Sequence, residues 1–263
     1  MESSKGSTPE QPVDSQDQRP SGHSQSESQW SALKAEEINA LPLRRFPGPI
    51  HVISNQSHAR QILQEVRGSS LLGFDTETRP AFKKGTYFPP SLLQLATESE
   101  VFLFQIGQLG LLKGLRDLLA DPDVLKVGVG LDYDVRELRK LARFKPAAFL
   151  DLADQARTNG LKRVSLRTLT ATFLGFRISK GAKCSNWAVS DLKKSQIKYA
   201  ATDAWVSREI YLFMAGRGMI DHSRGNSIGR RKTSKSKKAG GRKPTSKRTK
   251  AQGRSQSPKK ASR

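Results

Sequence analysis

The sequence predicts an α/β fold, a mixed sheet with helices on its faces, over about residues 41–221. Two observations carry that expectation. Short apolar runs alternate with amphipathic stretches of helical period, and turn residues separate them. A hydrophobic content of 35% in 263 residues is enough for one ordinary core.

The elements follow in order. Residues 50–54 read as a strand, and residues 57–66 as a helix with Ile62, Leu63 and Val66 on one face. Residues 71–76 are a buried strand, followed by a polar, Lys-containing and Pro-rich loop at 79–90. Strands at 92–96 and 101–104 flank the polar link 97–100, which suits a hairpin. An amphipathic helix over 109–119 stops before Asp121 and Pro122. A strand at 124–130, a helix at 133–143 and a short strand at 149–150 come next, then helices at 152–158 and 165–174. The last and longest helix runs from Asp191, capped by Ser190, to Met214, with Gly216 where a helix would stop. Gly128 and Gly130 lack the third member of a dinucleotide-binding fingerprint and are read as close backbone packing.

Charge divides the chain further. Of 46 Lys plus Arg, 16 fall in residues 222–263, which contain no acid; 30 basic and 24 acidic residues remain before them. Most of the net +22 therefore belongs to a basic tail of Lys, Arg, Ser and Gly, expected to be disordered and to contact nucleic-acid phosphates through counterion release. Residues 1–40, rich in Ser, Gln, Glu and Pro, read as a disordered polar leader. No apolar run approaches the roughly 18 residues of a membrane span, and no signal-peptide core is present. The single Cys184 excludes an internal disulfide. An intracellular protein is expected, cytoplasmic or nucleoid-associated in a bacterium and nuclear in a eukaryote.

Chemistry concentrates in a few acids. In a strand alternate side chains share a face, so Asp75 and Glu77 leave the end of theirs together while Thr76 leaves the other side. Two carboxylates so close are unfavourable unless they share a proton or a cation, and hard divalent ions accept such ligands. Tyr199 and Asp203 are four apart, which stacks them on one helix face. An acid at 132 or 134 opens the middle helix, just past a strand end, where sites collect in open α/β sheets. All of these lie at element ends. The loop residues Phe82, Lys83, Lys84 and Tyr87 suit contact with a nucleic-acid 3′ end through charge and stacking, with an ordinary solvated loop as the alternative. Trp187 suits base stacking or buried packing, and Gln94 and Ser185 are further candidate substrate contacts.

These motifs resemble those of the DEDD superfamily of 3′-to-5′ exonucleases, in its tyrosine-bearing branch. Werner-type exonuclease domains are the nearest likeness, and RNase D a more distant one. The resemblance covers about residues 47–217: Phe74-Asp75-Thr76-Glu77 matches the first motif, residues 127–134 the second, and Tyr199-Ala200-Ala201-Thr202-Asp203-Ala204 the third. Lys183-Cys184-Ser185-Asn186-Trp187 matches a Ser-Asn-Trp segment of Werner-type domains. It implies an RNase H-like, DnaQ-type fold with a mainly parallel five-stranded sheet. It also implies that Asp75, Glu77, Asp134 and Asp203 are ligands of two Mg²⁺ or Mn²⁺ ions, with Asp132 the alternative to Asp134, and that Tyr199 positions the attacking water. The activity implied is release of nucleoside monophosphates from 3′ ends. DNA is the favoured substrate, since only the basic tail follows the domain where RNase D carries extra helices; RNase D-like trimming of RNA and a catalytically silent binding module are the alternatives.

Overall fold

The computed structural model describes residue 31 and residues 33–223. The basic tail beyond Ser223 and the leader before Ser31 lie outside the described residues. A six-stranded sheet runs in the order β1-β4-β3-β2-β5-β6, built from β1 (Ile50–Ile53), β2 (Leu71–Thr78), β3 (Pro90–Ala96), β4 (Val101–Phe104), β5 (Leu125–Gly128) and β6 (Phe149–Asp151). The pairs β1–β4, β2–β5 and β5–β6 are parallel, and β3 runs antiparallel between β2 and β4. The expected sheet of five is corrected to six. β1 lies along the outer edge of β4 and satisfies a row of backbone groups that would otherwise form an open edge.

Period-two alternation sorts the strands onto two faces. Leu72, Phe74, Leu93 and Leu95 bury into one core beneath α2 (Gln56–Val66), α4 (Lys113–Leu119) and α5 (Leu131–Leu141). Leu92, Ala96 and Leu103 face the other way, against Ala200, Ala201 and Ala204 of the long helix α8 (Lys194–Ala215). Val127 and Leu150 extend that second face beneath α6 (Leu152–Thr158), α7 (Leu166–Leu174) and the far end of α8. The result is helix on sheet on helix.

Several boundaries differ from expectation for local reasons. Helix α1 (Ala35–Ala40) falls inside the segment read as leader, and its Ile38 is 2% exposed, so that segment ends earlier than residue 40. The expected helix over 109–119 is split into α3 (Ile106–Leu109) and α4, because Gly110 adopts a left-handed φ of +68°. Helix α8 starts at Lys194 rather than Asp191. The Ser190 carbonyl is already taken by the side chains of Gln105 (2.9 Å) and Gln108 (3.2 Å), and Gln196 caps the helix by accepting from the Lys193 N–H at 3.0 Å. No helix among the described residues is long and apolar enough to cross a membrane.

Candidate active site

Three elements build the site. β2 places Asp75 and Glu77 on the face covered by α8, and α8 brings Asp203 and Tyr199 onto the same face. That meeting requires α8 to lie directly on the strand. Gly73 allows it: a Cβ there would sit 2.0 Å from the Ala204 carbonyl oxygen. Carboxylate oxygens of Asp75, Glu77 and Asp203 consequently lie within 4.8 Å of one another.

Asp134 arrives from the opposite side. Thr76 points away from Asp75 and Glu77, as period two demands, and its hydroxyl donates to Asp134 Oδ1 at 2.6 Å on α5. The Thr76 N–H donates to Asp75 Oδ1 at 2.8 Å, so one residue ties acids from two elements. Asp151 fixes the start of α5 by accepting from the Leu131 N–H at 2.9 Å, and it caps α6 through the Ala153 N–H at 2.8 Å. Asp132, the other acid in the first turn of α5, pairs with Arg136 at 2.7 Å, and both side chains are half exposed.

Electrostatics follow from burial. Asp75 is held well above the usual carboxylate range, first by burial and then by the charges of Asp203 and Asp134. Glu77 is raised by burial and by all three neighbouring acids, while Lys183 pulls it down. Asp203 is raised by burial against the opposing hydrogen bond from Tyr199 and the charge of Lys183. Asp134 is pushed up to about 6 by burial, against the Thr76 hydrogen bond. Burial and the neighbouring carboxylates push the Tyr199 phenol far upward. Such a set binds protons tightly because burial strips the carboxylates of water and, at Asp75 and Glu77, because neighbouring negative charge adds to it. All its donors are hard oxygens, which fits a divalent cation of the Mg²⁺ or Mn²⁺ type.

Asp75, Glu77 and Asp203 open onto a cleft of about 610 Å³, lined also by Ile38 of α1 and by Arg163, Arg167, Lys180 and Lys183. Among expected substrate contacts, Gln94 and Trp187 are corrected. Gln94 sits opposite Asp75 in the sheet register and is fully buried, and neither of its carboxamide atoms has a protein partner. Trp187 is 1% exposed within the core under α8, its ring 6.0 Å from that of Tyr199. Packing of α8 over the sheet removes both from solvent. Ser185 is half-buried and donates its N–H to the Ala182 carbonyl at 3.0 Å. Phe82 and Lys83 are exposed on the loop after β2, and Tyr87 donates its hydroxyl to Glu137 Oε2 at 2.7 Å. Thr76, Asp151 and the wall cations were missed by sequence reasoning. The position of Thr76 between two acids was its one signal; the wall cations carry no pattern that sets them apart from the chain's many other Lys and Arg residues.

Comparison with known proteins adds a second line. A family model described as 3′-5′ exonuclease matches residues 50–217. The bifunctional 3′-5′ exonuclease/ATP-dependent helicase WRN of Mus musculus is 32% identical over 189 residues, 68% of this chain and 13% of that protein. Ribonuclease D of Gluconacetobacter diazotrophicus is 30% identical over 175 residues, 65% of this chain and 44% of the relative. The chain thus spans less than half the length of each. Among solved structures, the EXO domain of Nibbler from Aedes aegypti matches with a TM-score of 0.60 at 22% identity, covering 71% of this chain and 99% of that one. At that identity the likeness speaks for the fold alone.

Proposed function

The chain belongs to the 3′-5′ exonuclease family, and on that premise we propose that it removes nucleoside monophosphates from the 3′ end of DNA in a metal-dependent reaction. The observation that carries this reading is the convergence of Asp75, Glu77 and Asp203 within 4.8 Å, with Asp134 held beside them through Thr76. These four acids would hold two Mg²⁺ or Mn²⁺ ions. When bound, the ions supply Lewis acidity and a lowered water pKa. Tyr199 would orient the attacking water by hydrogen bonding, since a phenol with an ordinary pKa of about 10 is a poor base unless the ions lower it. Water adds to the terminal phosphorus, the bond to the preceding 3′ oxygen breaks, and that oxygen takes up the proton. Lys183, Arg163 and Arg167 on the cleft wall balance the phosphate charge of the incoming strand.

The resemblance to Werner-type domains supports DNA, and the 30% identity to ribonuclease D supports RNA as the second reading. We further propose an intracellular location and phosphate contact by the basic tail. Purified protein with Mg²⁺ or Mn²⁺ should shorten a 5′-labelled oligonucleotide stepwise, and EDTA or Asp75→Ala should abolish this. Parallel digestion of matched DNA and RNA strands separates the two substrate readings. Undiminished digestion by Asp75→Ala would sink the assignment.

A further inference from the structure

Beside α8 a second cavity, of about 310 Å³, adjoins the cleft, and Ser179, Tyr199 and Asp203 line both. Helical spacing builds its wall. Lys194, Lys198 and Thr202 stand four apart along one row of α8, and Ser195, Tyr199 and Asp203 form the neighbouring row. The second row carries two residues of the acid site, so the first lies directly beside that site. Arg45 completes the wall from another segment. The Phe46 N–H donates to the Thr202 hydroxyl oxygen at 3.1 Å and the Arg44 N–H to the Arg177 carbonyl at 3.0 Å, which ties the backbone down on both sides of Arg45. Arg45, Lys194 and Lys198 are exposed, and among the described residues none of them forms an ion pair. Asp203 is the one acid in the lining. It is already engaged, with its carboxylate within 4.8 Å of those of Asp75 and Glu77 and a hydrogen bond from Tyr199.

We propose that this pocket binds a nucleoside monophosphate, with its phosphate on Arg45, Lys194 and Lys198 and its ring system against Ala182 and Tyr199. Like charges four apart on a helix repel, and Arg45 adds a third cation to the same small volume. A compact dianion relieves that repulsion, and a phosphate monoester is one. Carbon surface lies next to the charge: Ala182 is 5% exposed, and the Tyr199 ring and the Thr202 methyl share the lining. The volume falls at the low end of small-molecule sites, which suits a compound of mononucleotide size. Neither Asp75 nor Glu77 lines the pocket, and no step of the proposed reaction uses its three cations. That the neighbouring cleft releases compounds of this class rests on the exonuclease reading, whereas occupancy of the pocket needs neither metal nor turnover. Tyr199 and Asp203 belong to both cavities, which gives a bound nucleotide a direct route to the reaction.

The test titrates the full chain in EDTA with thymidine 5′-monophosphate by calorimetry, with thymidine and inorganic phosphate as parallel titrants. The nucleotide should bind saturably, and thymidine and phosphate roughly 10-fold or more weakly, since each supplies only part of the contacts. Arg45→Gln and Lys194→Gln, at exposed positions on two separate segments, should each raise the Kd of the nucleotide roughly 10-fold, the loss expected for one charge-assisted contact. Arg163→Gln removes a cation of the cleft that does not line the pocket and should leave that Kd at the wild-type value. All three variants should unfold at the wild-type temperature, and Lys198→Gln replaces either pocket variant that does not. Nucleotide binding that is absent, that both pocket variants leave unchanged, or that Arg163→Gln weakens as much as they do, overturns the site. Phosphate that binds as tightly as the nucleotide overturns the assignment of a nucleoside monophosphate. Digestion of the labelled oligonucleotide decides the exonuclease reading separately, so either can fail while the other stands.

Discussion

Substituting Gly73 by alanine tests whether the closeness of α8 to β2 is what assembles the site. The added methyl would start 2.0 Å from the Ala204 carbonyl oxygen and 3.1 Å from Arg208 Cβ, where real contacts stay beyond 3.0 Å. Backbone cannot swing aside as a flexible side chain would, so α8 must retreat by about 1 Å. Overpacking of this kind costs about 1–3 kcal/mol. For a domain of this size each kcal/mol moves Tm by about 2–4 °C, giving a fall of about 2–12 °C. The same retreat carries Asp203 away from Asp75 and Glu77. A misplacement of about 1 Å costs on the order of 100-fold in rate. The assay is thermal unfolding followed by kcat/KM on a labelled oligonucleotide, measured below both melting temperatures. A Gly73→Ala protein with wild-type Tm and rate would refute the claim that this contact positions the acids.

Other consequences follow from the same geometry. Thr76→Val keeps the shape of the side chain but removes the hydroxyl that donates to Asp134. About 1–3 kcal/mol of carboxylate stabilisation should be lost, seen as weaker Mn²⁺ binding by calorimetry. Tyr199→Phe should lower kcat by roughly 10- to 100-fold, the worth of a hydrogen bond to a developing charge. Without metal, pH should act in a definite direction. Folding raises the pKa values of Asp75, Glu77, Asp134 and Asp203, so the unfolded chain gives up protons first and stability is lost as pH rises, from about 4 through about 6 for Asp134 and higher for Glu77. Tm in EDTA should therefore fall between pH 5 and 9, and either Mn²⁺ or Asp75→Asn should flatten the decline. A Tm that rises over that range would contradict the buried-acid account.

Packing explains the corrections as well as the site. Gln94 and Trp187 both carry chemistry that suits a substrate, yet both are roofed by α8 and lie in the layer beneath Ala200 and Ala201. Their unpaired polar atoms are buried on the sheet side of the site, so they act on shape and dielectric around the acids. Tyr87 similarly serves to hold its loop through Glu137, and only its outer ring face is open.

By itself the sequence determined what depends on neighbours along the chain. Period two placed Asp75 and Glu77 on one face of β2, a spacing of four placed Tyr199 over Asp203, and the alternation of runs foretold each strand of the sheet to within a few residues. The tertiary structure alone decided which faces meet. It brought Asp203 to the strand pair through the missing side chain at Gly73, turned Asp134 to Thr76 while Asp132 paired with Arg136, and set the cations of residues 163–183 along the cleft of the acids. It also folded α1, inside the stretch read as leader, beside that cleft. Local periodicity is written in adjacent residues, whereas contact between elements is set by side-chain volumes many positions apart, which only the packed chain brings together.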